Sequence, residues 1–243
     1  MSTSSNSIVD IAKYAWKKEW AEIKTIIENR RIPTLFHFTP IENLESILTN
    51  GLIPRDELVQ QGILFKQTDD LRLDGITAGT CFSITKPNMG LLRQKRIHGE
   101  GNIAVLECAA NTLLLYPFVA FPGNAAGGNF AKDKSENTHR YVGINGLKNL
   151  FLNKELRKNR KLAAEAPTDN QSEIIFLEKI HMNRILRIHI PIEIDPQLIS
   201  KYKQFVDESD SLNFHFPCDC DFFATEPGAF VGAGRFSLDW FLI

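Results

Sequence analysis

Long apolar runs, a large net charge and CxxC cysteine pairs are all missing from this sequence of 243 residues. No apolar run approaches the roughly 20 residues that span a bilayer. The polar start, Met1 to Ser7, lacks the apolar core of a signal peptide. We therefore expect a cytoplasmic protein with no membrane partner. The formal net charge is -1, so a nucleic-acid partner would need a local basic patch.

Cysteine is scarce and poorly spaced for a metal centre. The four cysteines are Cys81, Cys108, Cys218 and Cys220, and no CxxC pair occurs. Cys218 and Cys220 are too close for an ordinary disulfide, so reduced thiols and no metal cofactor are expected. The glycine- and asparagine-rich stretch 122–130 matches neither GxGxxG nor a P-loop.

The hydrophobic and charged contents, 43% and 23%, are those of a globular protein. Hydrophobic periodicity predicts helices and strands in alternation. The predicted helices are 7–30, 41–48, 89–97 and 147–166, with a loop and short helix over 55–75 and a short helix and linker over 191–206. The predicted strands are 34–39, 80–85, 102–107, 173–177 and 185–190. This order indicates an α+β fold with a mixed or split sheet, a single domain over 34–243 preceded by an N-terminal helix within 1–33.

Glu173 stands where a loop becomes a buried strand. The residues before it, 167–172, are rich in turn formers, and Ile174 to Leu177 are β-branched or aromatic. A strand end is a rigid mount for a catalytic group, and the preceding loop can meet a substrate. The alternative is an ordinary solvated glutamate at a strand edge.

His37 shares one face of a short predicted strand with Thr39. Pro40 ends that strand, a helix follows, and Asn50-Gly51 is a suitable helix C-cap. A strand that ends in polar residues before a helix can form a pocket wall. The alternative is a histidine with a structural role.

The stretch from Leu147 to Ala166 is the clearest positive patch. It carries Lys148, Lys154, Arg157, Lys158, Arg160 and Lys161 against few acidic residues. Such a run is either a solvated helix face or a surface that holds nucleic-acid phosphates. Its place directly before the Glu173 loop favours a link with that site.

Three motifs combine in one order along the chain. They are Phe36 to Leu48 with Gly51-Leu52 (H-x-T, then I-x-N-L-x-x-I-L and G-L), Phe82 to Met89, and Gln171-Ser172-Glu173. In this order they resemble the DarT family of NAD-dependent ADP-ribosyltransferases, which modify nucleobases of DNA. The resemblance covers about residues 34–180. Asp70 to Gly75, Pro87-Asn88 and the loop 124–126 look most like the guanine-modifying branch.

The resemblance implies a split β-sheet with NAD in its cleft. It implies that His37 and Thr39 contact NAD, helped by the backbone near Phe38, Gly51 and Leu52. It also implies that Glu173 is the catalytic glutamate, that 167–172 recognises the acceptor, and that the protein is a toxin with a cognate antitoxin.

The thymine-modifying branch has an arginine just after the second strand, where this chain has Lys86. We assign Lys86 to the catalytic site, with Arg93 or Arg96 as alternatives, although lysine lacks the planar fork of arginine. Single-stranded DNA is the expected acceptor, because a base in a duplex hides its reactive edge. Asn124 is expected to contact the base. Arg157, Lys158, Arg160 and Lys161 are expected to hold phosphates. RNA bases as acceptors, or a non-catalytic nucleic-acid-binding module, are the alternatives.

Overall fold

A mixed β-sheet organises the part of the chain that the computed structural model describes, namely residues 8–67, 74–97, 102–127, 130, 133, 136–190, 197 and 213–215. Its strands are β1 (Thr34–Pro40), β2 (Thr80–Ile84), β3 (Ile103–Ala109), β4 (Phe118–Phe121), β5 (Glu173–Phe176), β6 (Ile185–His189) and β7 (Asn213–His215). The strand order is β4-β5-β2-β1-β3-β6-β7. Neighbours are antiparallel except for the parallel pair β6 and β7. The predicted α+β fold with a mixed sheet is confirmed.

Short helices and one long helix surround the sheet. The α-helices are α1 (Ile8–Arg30), α2 (Leu44–Asn50), α3 (Arg55–Gln60), α4 (Met89–Ile97), α5 (Thr112–Leu115), α6 (Gly143–Asn149) and α7 (Lys154–Asn159), and the 3₁₀ turns are Ile41–Asn43, Thr138–Arg140 and Met182–Arg184. Among the described residues, no helix has the length and apolar character needed to cross a membrane.

The main hydrophobic core lies between one face of the sheet and the helices α1 and α2. Leu35, Phe82 and Ile174 come from the three adjacent strands β1, β2 and β5, and α1 adds Ile23 and Ile27. Full burial of an isoleucine contributes about 1.5–3 kcal/mol. The N-terminal helix is therefore part of the core of the fold rather than a separate appendage.

The predicted single helix over 147–166 is wrong. Helix α6 ends at Asn149 and α7 covers only Lys154–Asn159. Asn153 adopts a left-handed φ of 65°, and its side chain accepts the Leu156 N–H. Asparagine tolerates this conformation and is a good N-cap, so it starts a new helix instead of continuing the old one.

Two predicted elements lie partly or wholly outside the described residues. The loop predicted over 55–75 contains α3, but 68–73 are outside the described part. The helix and linker predicted over 191–206 lie outside it except for residue 197.

Candidate active site

A cleft opens where β1 and β2 separate. These strands pair at Leu35–Ile84 and Phe36–Ser83, whereas β1 pairs with β3 along its whole length. The cleft has a volume of about 400 Å³, within the range of about 300–1,000 Å³ typical of small-molecule sites. This opening is the split in the sheet that the sequence predicted.

His37 lies in the split, where β1 and β2 no longer pair, and its side chain bonds to the backbone of β2. Its Nδ1 is 2.8 Å from the carbonyl oxygen of Cys81 on β2. Because a carbonyl only accepts, Nδ1 carries the hydrogen, and Nε2 is an acceptor in the neutral ring. The ring centroid lies 5.3 Å from that of Phe82. The ring orientation is therefore fixed from two sides, and His37 lines the cleft.

Thr39 and Asn43 build the adjoining wall. The Asn43 Nδ2 donates to Thr39 Oγ1 at 3.0 Å and to the Lys66 carbonyl at 2.8 Å. The Lys66 N–H in turn donates to Asn43 Oδ1 at 2.8 Å. These bonds attach the segment after α3 to the end of β1, and both Thr39 and Phe38 line the cleft.

Gly51 and Leu52 form the floor of the cleft by a close backbone approach. Leu52 and Ile180 exchange two backbone hydrogen bonds, of 2.9 and 2.8 Å. Gly51 has φ 83° and ψ -177°, a region that is essentially restricted to glycine. A Cβ on Gly51 would lie 2.4 Å from the Ile180 oxygen. No other residue type fits this position without movement of the backbone.

Glu173 is the first residue of β5 and pairs with Phe121 at the end of β4. Its Oε2 accepts the backbone N–H of Ala125 at 3.0 Å. In the same loop, Asn124 Oδ1 accepts the Ala126 N–H at 2.8 Å, which closes a tight turn. Glu173 and Asn124 line the same cleft as His37. The structure thus brings together residues from distant parts of the sequence.

The predicted Lys86 does not lie with this group. Among the described residues, Lys86 and Arg93 are exposed and neither lines the cleft, and the side chain of Arg96 is outside the described part. The cleft is lined instead by Lys95, which is only 8% exposed. Sequence reasoning missed Lys95, although it stands one helical turn after Leu91, which also lines the cleft.

A second carboxylate was also missed. Asp74 is 5% exposed and lines the cleft, and its Oδ1 accepts the Ile76 N–H at 2.8 Å. It belongs to the Asp70 to Gly75 stretch that carries the family resemblance. Within the described residues, no group of three or more His, Cys, Asp or Glu side chains has the arrangement of a metal site.

The basic segment before Glu173 lies outside the cleft and has two kinds of residue. Lys158, Arg160 and Lys161 are exposed. Arg157 instead donates to backbone carbonyls, at 2.6 Å to Ala166 and 2.8 Å to Ala163. The structure therefore offers three of these side chains to solvent and ties the fourth to the fold.

Comparisons with known proteins agree with the sequence motifs. Residues 36–206 match the model of the family described as "ssDNA thymidine ADP-ribosyltransferase, DarT". Similar solved structures include Thermosipho africanus DarTG in complex with ADP-ribose, at 15% identity and a TM-score of 0.49, with coverage of 74% of this chain and 49% of that chain. Thermus sp. 2.9 DarT in complex with NAD+ has 11% identity, a TM-score of 0.44 and coverage of 75% and 95%. Thermus sp. 2.9 DarT in complex with ADP-ribosylated ssDNA has 12% identity, a TM-score of 0.41 and coverage of 73% and 89%.

The chain thus spans about half the length of the Thermosipho protein. No curated protein matches it in sequence. The family match extends over more than half of the chain and includes His37, Glu173 and every other described residue that lines the cleft. The chain belongs to the DarT family of ADP-ribosyltransferases.

Proposed function

We propose that this protein transfers ADP-ribose from NAD+ to a nucleobase of single-stranded DNA. The observation that carries the proposal is the position of Glu173, which is oriented by Ala125 at a strand end and faces the same cleft as His37. Membership of the DarT family supports it. The Thermus relatives were solved with NAD+ and with ADP-ribosylated ssDNA.

The residues of the cleft suit NAD. Gly51 lines the cleft with its backbone, His37 offers an acceptor nitrogen, and Lys95 is a cation suited to a diphosphate. When bound, NAD+ supplies an ADP-ribosyl group with a positively charged nicotinamide as the leaving group. We propose that His37, Phe38, Thr39, Gly51 and Leu52 hold it.

Glu173 has two tasks in this proposal. Its negative charge stabilises the positive charge that develops on the ribose as the glycosidic bond breaks. It also accepts the proton that the attacking base loses when the new bond forms. The Ala125 N–H fixes one carboxylate oxygen, so little reorganisation is needed during the reaction.

The acceptor base is a finer proposal. We propose guanine, because the stretch 70–75, Pro87-Asn88 and the loop 124–126 favour that branch of the family. The Asn124 oxygen is used in the turn bond, its amide NH₂ is a donor, and an amide donor matches the guanine oxygen. Thymine, named in the family description, is the alternative.

We also propose a toxin role with a cognate antitoxin, which rests on family membership alone.

We propose that the exposed cations of the basic segment before Glu173 hold the phosphates of the DNA. Replacement of Lys158, Arg160 and Lys161 by alanine should weaken oligonucleotide binding without loss of NAD affinity. The slope of log affinity against log salt should flatten by about 0.7 for each lost contact to a single strand. Titrations at several salt concentrations measure it, and an unchanged slope would place the DNA surface elsewhere.

Mass spectrometry of oligonucleotides incubated with the protein and NAD+ tests the reaction. Single-stranded DNA with one guanine should gain an ADP-ribosyl group, whereas matched DNA with only thymine and matched RNA should not. Glu173→Gln should lower the rate by about 10²–10⁴-fold, because an amide can neither accept the proton nor carry the charge. Glu178→Gln is the matched control at an exposed glutamate.

Each unexpected result would contradict a different part of the proposal. Near-normal turnover of Glu173→Gln would contradict the catalytic assignment. A product on thymine would leave the reaction intact and refute the guanine proposal. A product on RNA alone would refute the DNA proposal, and oligonucleotide binding without any product would identify a non-catalytic binding module.

A further inference from the structure

The backbone between α7 and β5 converges on one guanidinium group. Arg157 Nη1 donates to the Ala166 carbonyl at 2.6 Å and lies 3.4 Å from Thr168 Oγ1. Its Nη2 donates to the Ala163 carbonyl at 2.8 Å and to the Ala164 carbonyl at 3.4 Å. We call residues 163–168 the clasped segment. A planar fork of donors matches several acceptors in this arrangement, and an ammonium group does not.

Two other elements bind the same segment. Arg30, at the end of α1, donates from Nη1 to the Ala164 carbonyl at 3.1 Å. Thr85, directly after β2, donates its hydroxyl to the Glu165 carbonyl at 2.8 Å. Thr85 has a φ of 67°, which is unusual for a β-branched residue. The clasped segment is thus bound by side chains from α1 and α7 and by the residue that follows β2.

The bonds continue from the clasped segment to Glu173. The Thr168 N–H donates to the Leu150 carbonyl at 2.8 Å. In the next turn, the Asp169 carboxylate accepts the Gln171 N–H at 2.8 Å and its carbonyl accepts the Ser172 N–H at 3.1 Å. Glu173 follows directly. Both of these turn bonds lie within 169–172, so the position of the turn depends on the clasped segment before it and on β5 after it.

The donors of Arg157 are directed at backbone oxygens rather than toward a solvent-side anion. Arg30 is close by, since both guanidinium groups donate to the Ala164 carbonyl. Burial, and then the charge of Arg157, lower the pKa of Arg30. Both guanidinium groups also lie near the Phe151 ring, with centroid distances of 4.2 Å for Arg30 and 5.5 Å for Arg157. A phosphate contact would compete with these bonds for the same N–H groups.

We propose that Arg157 is a positioning residue, which holds the clasped segment and thereby the turn 169–172 that leads into Glu173, and that it is not a phosphate contact. The catalytic part of this statement rests on the proposed function. The structural part concerns only the order of residues 163–172.

The test compares Arg157→Lys, Arg157→Ala and Thr85→Val with the wild-type protein. Thr85→Val removes a second bond to the clasped segment without a change of charge. Arg184→Lys is the matched control, because the Arg184 guanidinium binds the adjacent Asn183 side chain instead. Three quantities are measured: hydrogen exchange of 163–172 without ligands, kcat and KM for transfer to an oligonucleotide, and the salt slope of oligonucleotide binding.

We expect faster hydrogen exchange in 163–172 than in the wild-type protein for all three variants, and an unchanged exchange rate for the control. Transfer should lose about ten- to a hundred-fold in kcat for both Arg157 variants, as expected for a misplaced reacting group. Thr85→Val should show a smaller loss of the same kind. The salt slope and the NAD affinity should equal those of the wild-type protein. If Arg157 contacted a phosphate, Arg157→Ala would instead flatten the salt slope.

Two results would overturn the proposal. One is a wild-type rate for Arg157→Lys with a flatter salt slope for Arg157→Ala, since charge alone would then suffice. The other is unchanged exchange of 163–172 in the Arg157 and Thr85 variants. If the wild-type protein modifies no oligonucleotide, the proposed function fails, and the exchange data still decide whether Arg157 holds the segment. If Arg157→Ala does not fold, Arg157→Lys and Thr85→Val carry the same comparison.

Discussion

Replacement of Gly51 by alanine should cost far more stability than the same change at Gly62. Both glycines have positive φ, 83° and 66°, so alanine is strained at either position. They differ in their surroundings. A Cβ on Gly62 meets nothing within 4 Å, whereas a Cβ on Gly51 would lie 2.4 Å from the Ile180 carbonyl oxygen. Gly62→Ala therefore measures strain alone, and Gly51→Ala measures strain plus the clash.

The expected magnitudes follow from this difference. Left-handed backbone costs a non-glycine residue about 1–2 kcal/mol, partly offset by about 0.4–1 kcal/mol from a less flexible unfolded chain. Gly62→Ala should thus lower the free energy of unfolding by about 1 kcal/mol. At Gly51, the φ and ψ values of 83° and -177° are nearly exclusive to glycine, and the Leu52–Ile180 bridge must also shift. We expect a loss of about 3 kcal/mol or more.

Urea unfolding of both variants measures the two free energies, and calorimetry measures NAD affinity. Because Gly51 lines the cleft, Gly51→Ala should also weaken NAD binding, whereas Gly62→Ala should leave it unchanged. Equal losses of stability, within about 0.5 kcal/mol, would refute the close approach between Gly51 and Ile180. A normal NAD affinity in Gly51→Ala would remove the floor of the cleft from the proposed site.

Three further predictions test single groups. His37→Ala should weaken NAD binding about tenfold by calorimetry while the far-UV spectrum stays native, and unchanged affinity would make His37 structural. Lys95→Met should reduce NAD affinity more than Lys86→Met does, and the reverse order would return the catalytic cation to Lys86. Burial acts to raise the pKa of Glu107, but the His189 bond and nearby Arg187 outweigh it and lower the pKa. The ionised Glu107 therefore stabilises the fold at pH values above its usual pKa, and this stabilisation is lost as the pH falls through the lowered pKa. In urea unfolding, the free energy of unfolding of Glu107→Gln should fall less steeply with decreasing pH than that of the wild-type protein.

Alternation and short β-branched or aromatic runs predicted five of the seven strands among the described residues. The strands containing His37 and Glu173 begin where the sequence placed them, at Thr34 and Glu173. Strand β4 was missed, because Phe118 to Phe121 are all buried and end a longer apolar stretch, 111–121, and periodicity alone does not separate a short buried strand from a buried helix. The break between α6 and α7 was missed for another reason, since a single left-handed asparagine, Asn153, overrides the helical charge pattern.

The candidate site divided in the same way. His37 and Glu173 were found because their motifs are local and lie at strand ends. Lys95 was not found, because its burial depends on how α4 packs over the cleft, and no local pattern separates it from the exposed Arg93. The backbone bonds of Arg157 could not be predicted either, since a basic run has the same composition whether its donors meet phosphate or backbone carbonyls.

Ser83 shows why these distant residues meet. It is the first residue of β2 that pairs with β1, opposite Phe36. On the other side of β2, Ile174 pairs with Phe82, so extension of that antiparallel register by one residue places Glu173 beside Ser83. The Ser83 hydroxyl also accepts the Asn88 N–H at 3.1 Å, which fixes the start of α4, the helix that carries Lys95. Ser83 thus lies where β1 and β2 separate, beside Glu173 and in contact with the start of α4, which carries Lys95. The geometry of the cleft therefore follows from strand register rather than from any single motif.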